Sequence, residues 1–338
     1  MNKCAVISGY YGFGNFGDEI ILSVLTKKLK DCGIEPIVLS SNPEKTSKEH
    51  FVNSINSFNF YQVSGLIKQS DILISGGGSL LQDVTSIKSL LYYLWIIFTA
   101  IRYKKKVIIF AQGIGPIKNK IAQIITAKLL KKCDYVSVRD LKSHQLLEKW
   151  DVKSELLCDP VFSIKVNHSE NLGKLGIQLR SFPSINDDFL KKLANQVVEN
   201  FGNMQVEIFS LQNSLDIEIC KRFEQILKSI EPNMITEVIS NVSNDKIIER
   251  LSNLEYLIAM RFHAIVIALK ASVKTLAINY DIKVEKLALS SDIPAISLNE
   301  DDFGHAFNSL KNSDKNKIEK FVDSQNFDWT NFQNIILH

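Results

Sequence analysis

The sequence predicts an α/β protein with two doubly wound halves facing across a cleft. Three observations carry this expectation. Short β-branched runs alternate with longer amphipathic ones, the pattern of a parallel sheet with helices on both faces. The rhythm breaks once, around residues 159–173, and then restarts. The length of 338 residues suits two domains of ordinary size better than one.

The elements follow in order. "KCAVISG" reads as a strand, residues 18–32 as a helix and "EPIVLSS" as a strand again. "DILISGGG" is a strand running into glycines, with a helix over 86–103 after it. "KVIIFAQGIG" is a strand, 119–132 a helix, "DYVSVRD" a strand and "DLKSHQLLEKW" a helix. The polar stretch "DPVFSIKVNHSENLGK" has no helical period and reads as a linker near 160–172. "LGIQLRS" opens the second series, with strands "QVEIFSL", "ITEVIS", "EYLIAM" and "VKTLAINY" between helices at 186–200, 215–229, 244–252, 263–270 and 283–289. The predicted domains are therefore 1–163 and 173–300, followed by a terminal helical segment over 301–338.

Composition narrows the function. The net charge of +3 is weak and unclustered for a nucleic-acid partner, but it is compatible with small anionic substrates or an anionic membrane face. Five dispersed cysteines form no C-x-x-C pair, so they read as buried, reduced thiols and no zinc site is expected. The first residues open into a strand with no signal peptide, which predicts a cytoplasmic location. The run "SLLYYLWIIFTAI", Ser89 to Ile101, is shorter than the ~20 residues of a spanning helix. It reads either as a buried core helix or as one that dips into a bilayer surface at the inner face of the membrane.

"GYYGFGNFGDE" contains G-x-G-x-x-G by letter, at Gly12, Gly14 and Gly17. Its context argues against a dinucleotide. Gly9 already ends the strand, and the second strand closes on Ser40 and Ser41 where an acid for the ribose is needed. A long flexible loop remains, ending at Asp18, which is either a helix cap or first-turn acid, or a carboxylate oriented to act on a substrate hydroxyl. "SGGGSLLQD" places Gly76, Gly77 and Gly78 between a strand and a helix, where amides and helix terminus suit an anion. It lacks the P-loop lysine, so ATP hydrolysis is not suggested.

Ligands in such sheets sit beyond the carboxyl ends of strands. Arg139 in "SVRD", Arg180 in "IQLRS" and Arg261 in "MRFHA" all stand there, and their planar forks suit carboxylate and phosphate. His263 opens a helix next to Arg261 and is the candidate acid or base, where the helix dipole tends to lower an imidazole pKa. "NYDIKVEKL" adds Tyr280 for stacking on a sugar and Lys283 for a phosphate.

This ordered set, together with "AQGIGP", "DPVF" and "INYDIKVEKL", resembles the polysaccharide pyruvyl transferase family, in particular its CsaB-type bacterial members, over about residues 4–290. The resemblance implies two Rossmann-like domains in a GT-B-like fold. It implies transfer of a pyruvyl group from phosphoenolpyruvate to two hydroxyls of a glycan sugar as a cyclic ketal, with no metal or organic cofactor. In the CsaB branch the acceptor is N-acetylmannosamine in a lipid-linked precursor of a secondary cell-wall polymer. By the same resemblance, Arg261 and His263 match the R-x-H motif that holds and protonates the donor, Arg139 the V-R-D arginine and Asp18 the G-D acid. Asn15, Gly77, Gly78, Arg180, Tyr280 and Lys283 complete the expected substrate contacts. The rivals are a nucleotide-sugar glycosyltransferase on the same fold and a non-catalytic glycan-binding module.

Overall fold

Strands β1 (Cys4–Ser8), β2 (Glu35–Ser40), β3 (Asn53–Asn56), β4 (Ile72–Ser75), β5 (Gly78–Leu81), β6 (Lys106–Ile114), β7 (Tyr135–Val138) and β8 (Glu155–Leu156) form one sheet in the computed structural model. The order is β3-β2-β1-β4-β6-β7-β8, and neighbouring strands run parallel. β6 pairs with β4 through Lys106–Ile109 and with β5 further on, from Gln112 to Ile114. A second parallel sheet holds β9 (Lys174–Gln178), β10 (Gln205–Phe209), β11 (Thr236–Ile239), β12 (Tyr256–Ala259), β13 (Lys274–Asn279) and β14 (Ala295–Ser297), in the order β11-β10-β9-β12-β13-β14. Both orders reverse direction next to their first strand. This creates a switch point between β1 and β4 and another between β9 and β12, where ligand crevices form.

The structure describes residues 3–166 and 173–338. Residues 167–172 of the expected linker lie outside the described residues. The chain divides into two units, Met1–Ser163 with Phe327–His338, and Ile164–Asn326. The stretch 301–338, one terminal segment in the sequence reading, is thus shared between them.

The helices of the first unit are α1 (Phe16–Asp31), α2 (Pro43–His50), α3 (Phe60–Gln69), α4 (Ile87–Arg102), α5 (Lys120–Leu130) and α6 (Leu141–Lys149). Those of the second are α7 (Asp187–Phe201), α8 (Asn213–Ile230), α9 (Asn244–Ser252), α10 (Phe262–Lys270), α11 (Ile282–Ser291), α12 (Gly304–Lys311) and α13 (Lys315–Ser324); α14 (Thr330–Leu337) belongs to the first again. Asparagine starts many of them: Asn15, Asn42, Asn59, Asn119 and Asn186 each accept a first-turn N–H. The central strands are buried on both faces, which explains why they read as unbroken apolar runs. Each unit has its own core, with Val6, Leu73, Ile97 and Val107 in the first and Leu175, Ile258, Phe307 and Leu276 in the second.

One local reading narrows and another changes. α1 begins at Phe16 with Asn15 as its cap, so of its two structural roles Asp18 takes that of a first-turn acid. The glycine triplet does not open a helix. It leads into β5, and α4 starts only at Ile87 with Ser86 as its cap. The pairing of Leu81 with Ile114 explains this, because those backbone groups join the sheet instead. α4 sends Leu90, Tyr93, Leu94, Ile96, Ile97 and Ala100 into the core, as the buried-helix reading of 89–101 expects. Among the described residues no helix is long and apolar enough to cross a membrane.

Candidate active site

At the first switch point, the loop after β1 folds back over the end of β2. Two hydrogen bonds tie the backbone of this loop, read from the sequence as long and flexible, to its surroundings. Ser41 N–H donates to Tyr11 O at 3.0 Å, and Gly12 N–H donates to Glu19 Oε1 at 2.8 Å. Gly12 has φ +81°, and a Cβ there would stand 2.2 Å from Ser40 Oγ, so only glycine closes this turn. Glu19, adjacent to Asp18, is buried, and its Oε2 meets His50 Nε2 at 3.0 Å. Glu49 joins them, the three donor atoms lying within 4.8 Å of one another. Among the described residues this is the donor set with the spacing to hold a metal, although hydrogen bonds already engage both Glu19 oxygens.

Asp18 and Gly78 come together here: a Cβ on Gly78, at φ +94°, would lie 2.6 Å from Asp18 Oδ1. Gly77 does a different job. A Cβ there would stand 2.6 Å from Ile21 Cγ2, so its bare backbone lets α1 pack against the β4 end. Tyr11 is buried beneath the loop against Gly9 and Gly76, and its hydroxyl has no partner among the described residues. Burial pushes its phenol well above the usual range, reinforced by Asp18 and Glu19. Asn15 spends its side-chain oxygen on Gly17 N–H at 3.2 Å, which occupies it as a cap. Arg139, at the end of β7, donates to Asp159 Oδ2 at 2.5 Å, with both side chains largely buried. Asp159 also accepts from Val161 N–H at 3.0 Å, tying "DPVF" to "SVRD".

The second switch point gathers Arg180, Arg261 and Tyr280. The Arg261 fork grips Asp216, with Nε to Oδ2 and Nη2 to Oδ1 both at 2.8 Å, and Nη2 also reaches Gln212 Oε1 at 3.2 Å. Its backbone N–H donates to Gln178 Oε1 at 2.7 Å, fastening the β12 end to the β9 end. Arg180 Nη1 donates to Tyr280 Oη at 3.1 Å, and its guanidinium carbon sits 5.0 Å from that ring's centroid. Arg180 Nε is buried without a partner, and no carboxylate neutralises this arginine among the described residues. Burial raises the Tyr280 phenol, as does Asp281, while Arg180 and Arg261 pull the other way. His263 stands in the first turn of α10, its ring edge-on to Phe262 at 5.2 Å. Lys283 stands in the first turn of α11, just past its cap Asp281, while Tyr280 lies on the β13–α11 connection.

Of the expected residues, Asp18 and Gly78 meet in the first unit, and Arg180, Arg261 and Tyr280 in the second. Asp159, Asp216, Gln178, Glu19 and His50 escaped the sequence reading as partners. Asp159 and Glu19 lay inside quoted motifs without being assigned roles. Asp216 had no local signal, because it sits 45 residues from the arginine it holds.

A family model for polysaccharide pyruvyl transferase matches residues 15–282. The chain belongs to the polysaccharide pyruvyl transferase family. The match spans Gly17 and Asp18, the Gly76–Gly78 triplet, Arg139, Arg180 and the Arg261–His263 motif; it begins after Gly14 and ends one residue before Lys283. No curated protein matches the chain by sequence. Among solved structures it is similar to a UDP-N-acetylglucosamine 2-epimerase (TM-score 0.69, 10% identity, 99% of this chain and 95% of that one). It is also similar to the UDP-GlcNAc 2-epimerase of Methanocaldococcus jannaschii (0.62, 12%, 96% and 94%). A third is Anabaena Alr3699/HepE in complex with UDP-glucose (0.62, 11%, 98% and 98%). At such identities the likeness establishes the fold: two Rossmann-like α/β domains of GT-B-like type.

Proposed function

We propose that this family member transfers the pyruvyl group of phosphoenolpyruvate to two hydroxyls of a cell-surface glycan, releasing phosphate and leaving a cyclic ketal. The observation that carries the donor assignment is Arg180. A half-buried guanidinium whose Nε is unpartnered and which forms no ion pair among the described residues is a seat for an anion. Arg261, held rigidly by Asp216, keeps Nη1 outside those bonds and supplies a second, oriented donor. Lys283 and the amides around Gly77 and Gly78 are the further contacts we assign to substrate.

The chemistry follows from the donor. His263 gives a proton to the methylene carbon of phosphoenolpyruvate, which makes C2 electrophilic. One sugar hydroxyl attacks C2 and passes its proton to Asp18. The C2–O bond to phosphate then breaks, the arginines stabilise the departing charge and Asp18 returns its proton to the phosphate; the second hydroxyl closes the ring on C2 and its proton reloads His263. Tyr280 presents a ring for the sugar face. The acceptor we favour is a lipid-linked precursor carrying N-acetylmannosamine, as in the CsaB branch, at the cytoplasmic face of the membrane.

Incubation of the protein with phosphoenolpyruvate and candidate acceptor sugars, followed by mass spectrometry, tests the reading. The expected product is the pyruvyl adduct with equimolar phosphate. If UDP- or GDP-sugars raise the melting temperature while phosphoenolpyruvate does nothing, the chain is a nucleotide-sugar enzyme instead.

A further inference from the structure

Between Asp83 and Asp134 the chain carries ten Lys or Arg residues and no acid. This stretch builds α4, β6 and α5. The outer face of α4 is exposed at Lys88, Leu91, Phe98 and Arg102, with Trp95 half-buried among them. Those positions fall at i, i+3, i+10 and i+14, with Trp95 at i+7, which is one stripe along a helix. α5 repeats the arrangement, exposing Lys120, Ile121, Ile124, Ile125 and Lys128. Ile121 is 70% and Ile124 55% exposed. α4 packs against both α5 and α3. α3 also lacks acids, exposes Phe60 and Tyr61, and is joined to α4 through ring contacts of Phe60 with Tyr92 and Trp95.

We propose that this face of the first unit docks peripherally on an anionic lipid bilayer. Exposed apolar side chains alone would suit a protein partner as well. The charge pattern selects lipid: on both α4 and α5 the apolar stripe is bracketed by cations, and neither helix carries an acid. Such a face buries its apolar residues at the acyl boundary while the cations meet anionic headgroups. Trp95 and the α3 rings supply side chains that favour that boundary. The inference stands apart from the donor chemistry, since it uses no residue assigned to phosphoenolpyruvate or sugar.

The test is co-sedimentation of the full chain with vesicles of phosphatidylcholine alone, or of phosphatidylcholine mixed with phosphatidylglycerol. The protein should pellet with the mixed vesicles, remain in solution with the neutral ones, and dissociate as salt rises. Ile121→Glu with Ile124→Glu should cut binding about tenfold or more without moving the melting temperature, because both side chains already face water. Lys120→Gln with Lys128→Gln should weaken binding by the electrostatic route alone. Leu289→Glu, at an equally exposed site on α11, should leave binding intact. Failure of the wild type to bind either vesicle overturns the proposal, as does unchanged binding by the isoleucine variant. Loss of a wild-type dimer in that variant, without vesicle binding, would assign the face to a second copy instead.

Discussion

Arg180 and Arg261 are both strand-end arginines, yet their surroundings give them different work. Arg261 is committed to the fully buried Asp216, so Asp216→Ala leaves a guanidinium without its counter-charge. The expected loss is about 3–5 kcal/mol of stability, read from urea unfolding. Arg180 has no such commitment, so Arg180→Ala should leave the fold intact. It should raise the phosphoenolpyruvate concentration for half-saturation by about tenfold or more in a phosphate-release assay, and lysine should rescue it poorly. Equal donor saturation in the variant would remove Arg180 from the site. His263→Ala should instead depress turnover by about a hundredfold or more with donor saturation little changed, the signature of a proton donor. Strand-end placement of these residues was legible because a strand's carboxyl end is a local event. Their pairing was not, because Asp216 reaches Arg261 only once β10 and β12 flank β9.

Element by element, close approaches decide the geometry. Gly77→Ala would place a methyl 2.6 Å from Ile21 Cγ2, with Cδ1 at 3.2 Å. Either α1 shifts or the β4 end does, at a cost of about 1–3 kcal/mol. Since α1 carries Asp18, activity should fall together with stability; thermal unfolding and phosphate release on one sample would show it. The connection from β6 to α5 has a second device. Asp83 accepts from Asn119 N–H at 2.9 Å and from Lys118 N–H at 2.8 Å, and these amides hold its carboxyl below the usual carboxylate range. A lowered folded value stabilises the fold above the ordinary carboxylate pKa, and the contribution disappears as pH falls through the lowered one. Asp83→Ala should therefore flatten that part of the acid limb when urea midpoints are compared between about pH 6 and about pH 2. The sequence showed a glycine triplet before a helix. It could not show β5, since four residues become a strand there only by pairing with β6.

At the level of the whole molecule, the chain's last residues return to its first unit. Phe110, fully buried in β6, packs against Phe327, Trp329 and Phe332, with ring centroids 5.6, 5.5 and 5.1 Å away. Lys106 Nζ donates to Ile335 O at 2.7 Å, and Lys28 sits over the Trp329 ring at 5.2 Å. Removal of Phe327–His338 should therefore destabilise the first unit, at about 1.5–3 kcal/mol for each large buried side chain lost. Calorimetry and proteolysis should locate the damage within 3–163, although the cut is made more than 160 residues away.

What the sequence determined by itself was the material that local forces organise. β-branched runs and amphipathic periods announced two parallel sheets, and glycines and arginines marked strand ends, because strand, helix and turn preferences act over a few residues. The ordered motifs pointed to the family for the same reason. Tertiary structure alone decided which cation stays open and which is neutralised, that Glu19 and His50 clamp the glycine loop, and where the final helix belongs. Those outcomes rest on pairs of groups far apart in the chain. Their energies arise only when burial removes water and brings a charge to its partner, or leaves it without one.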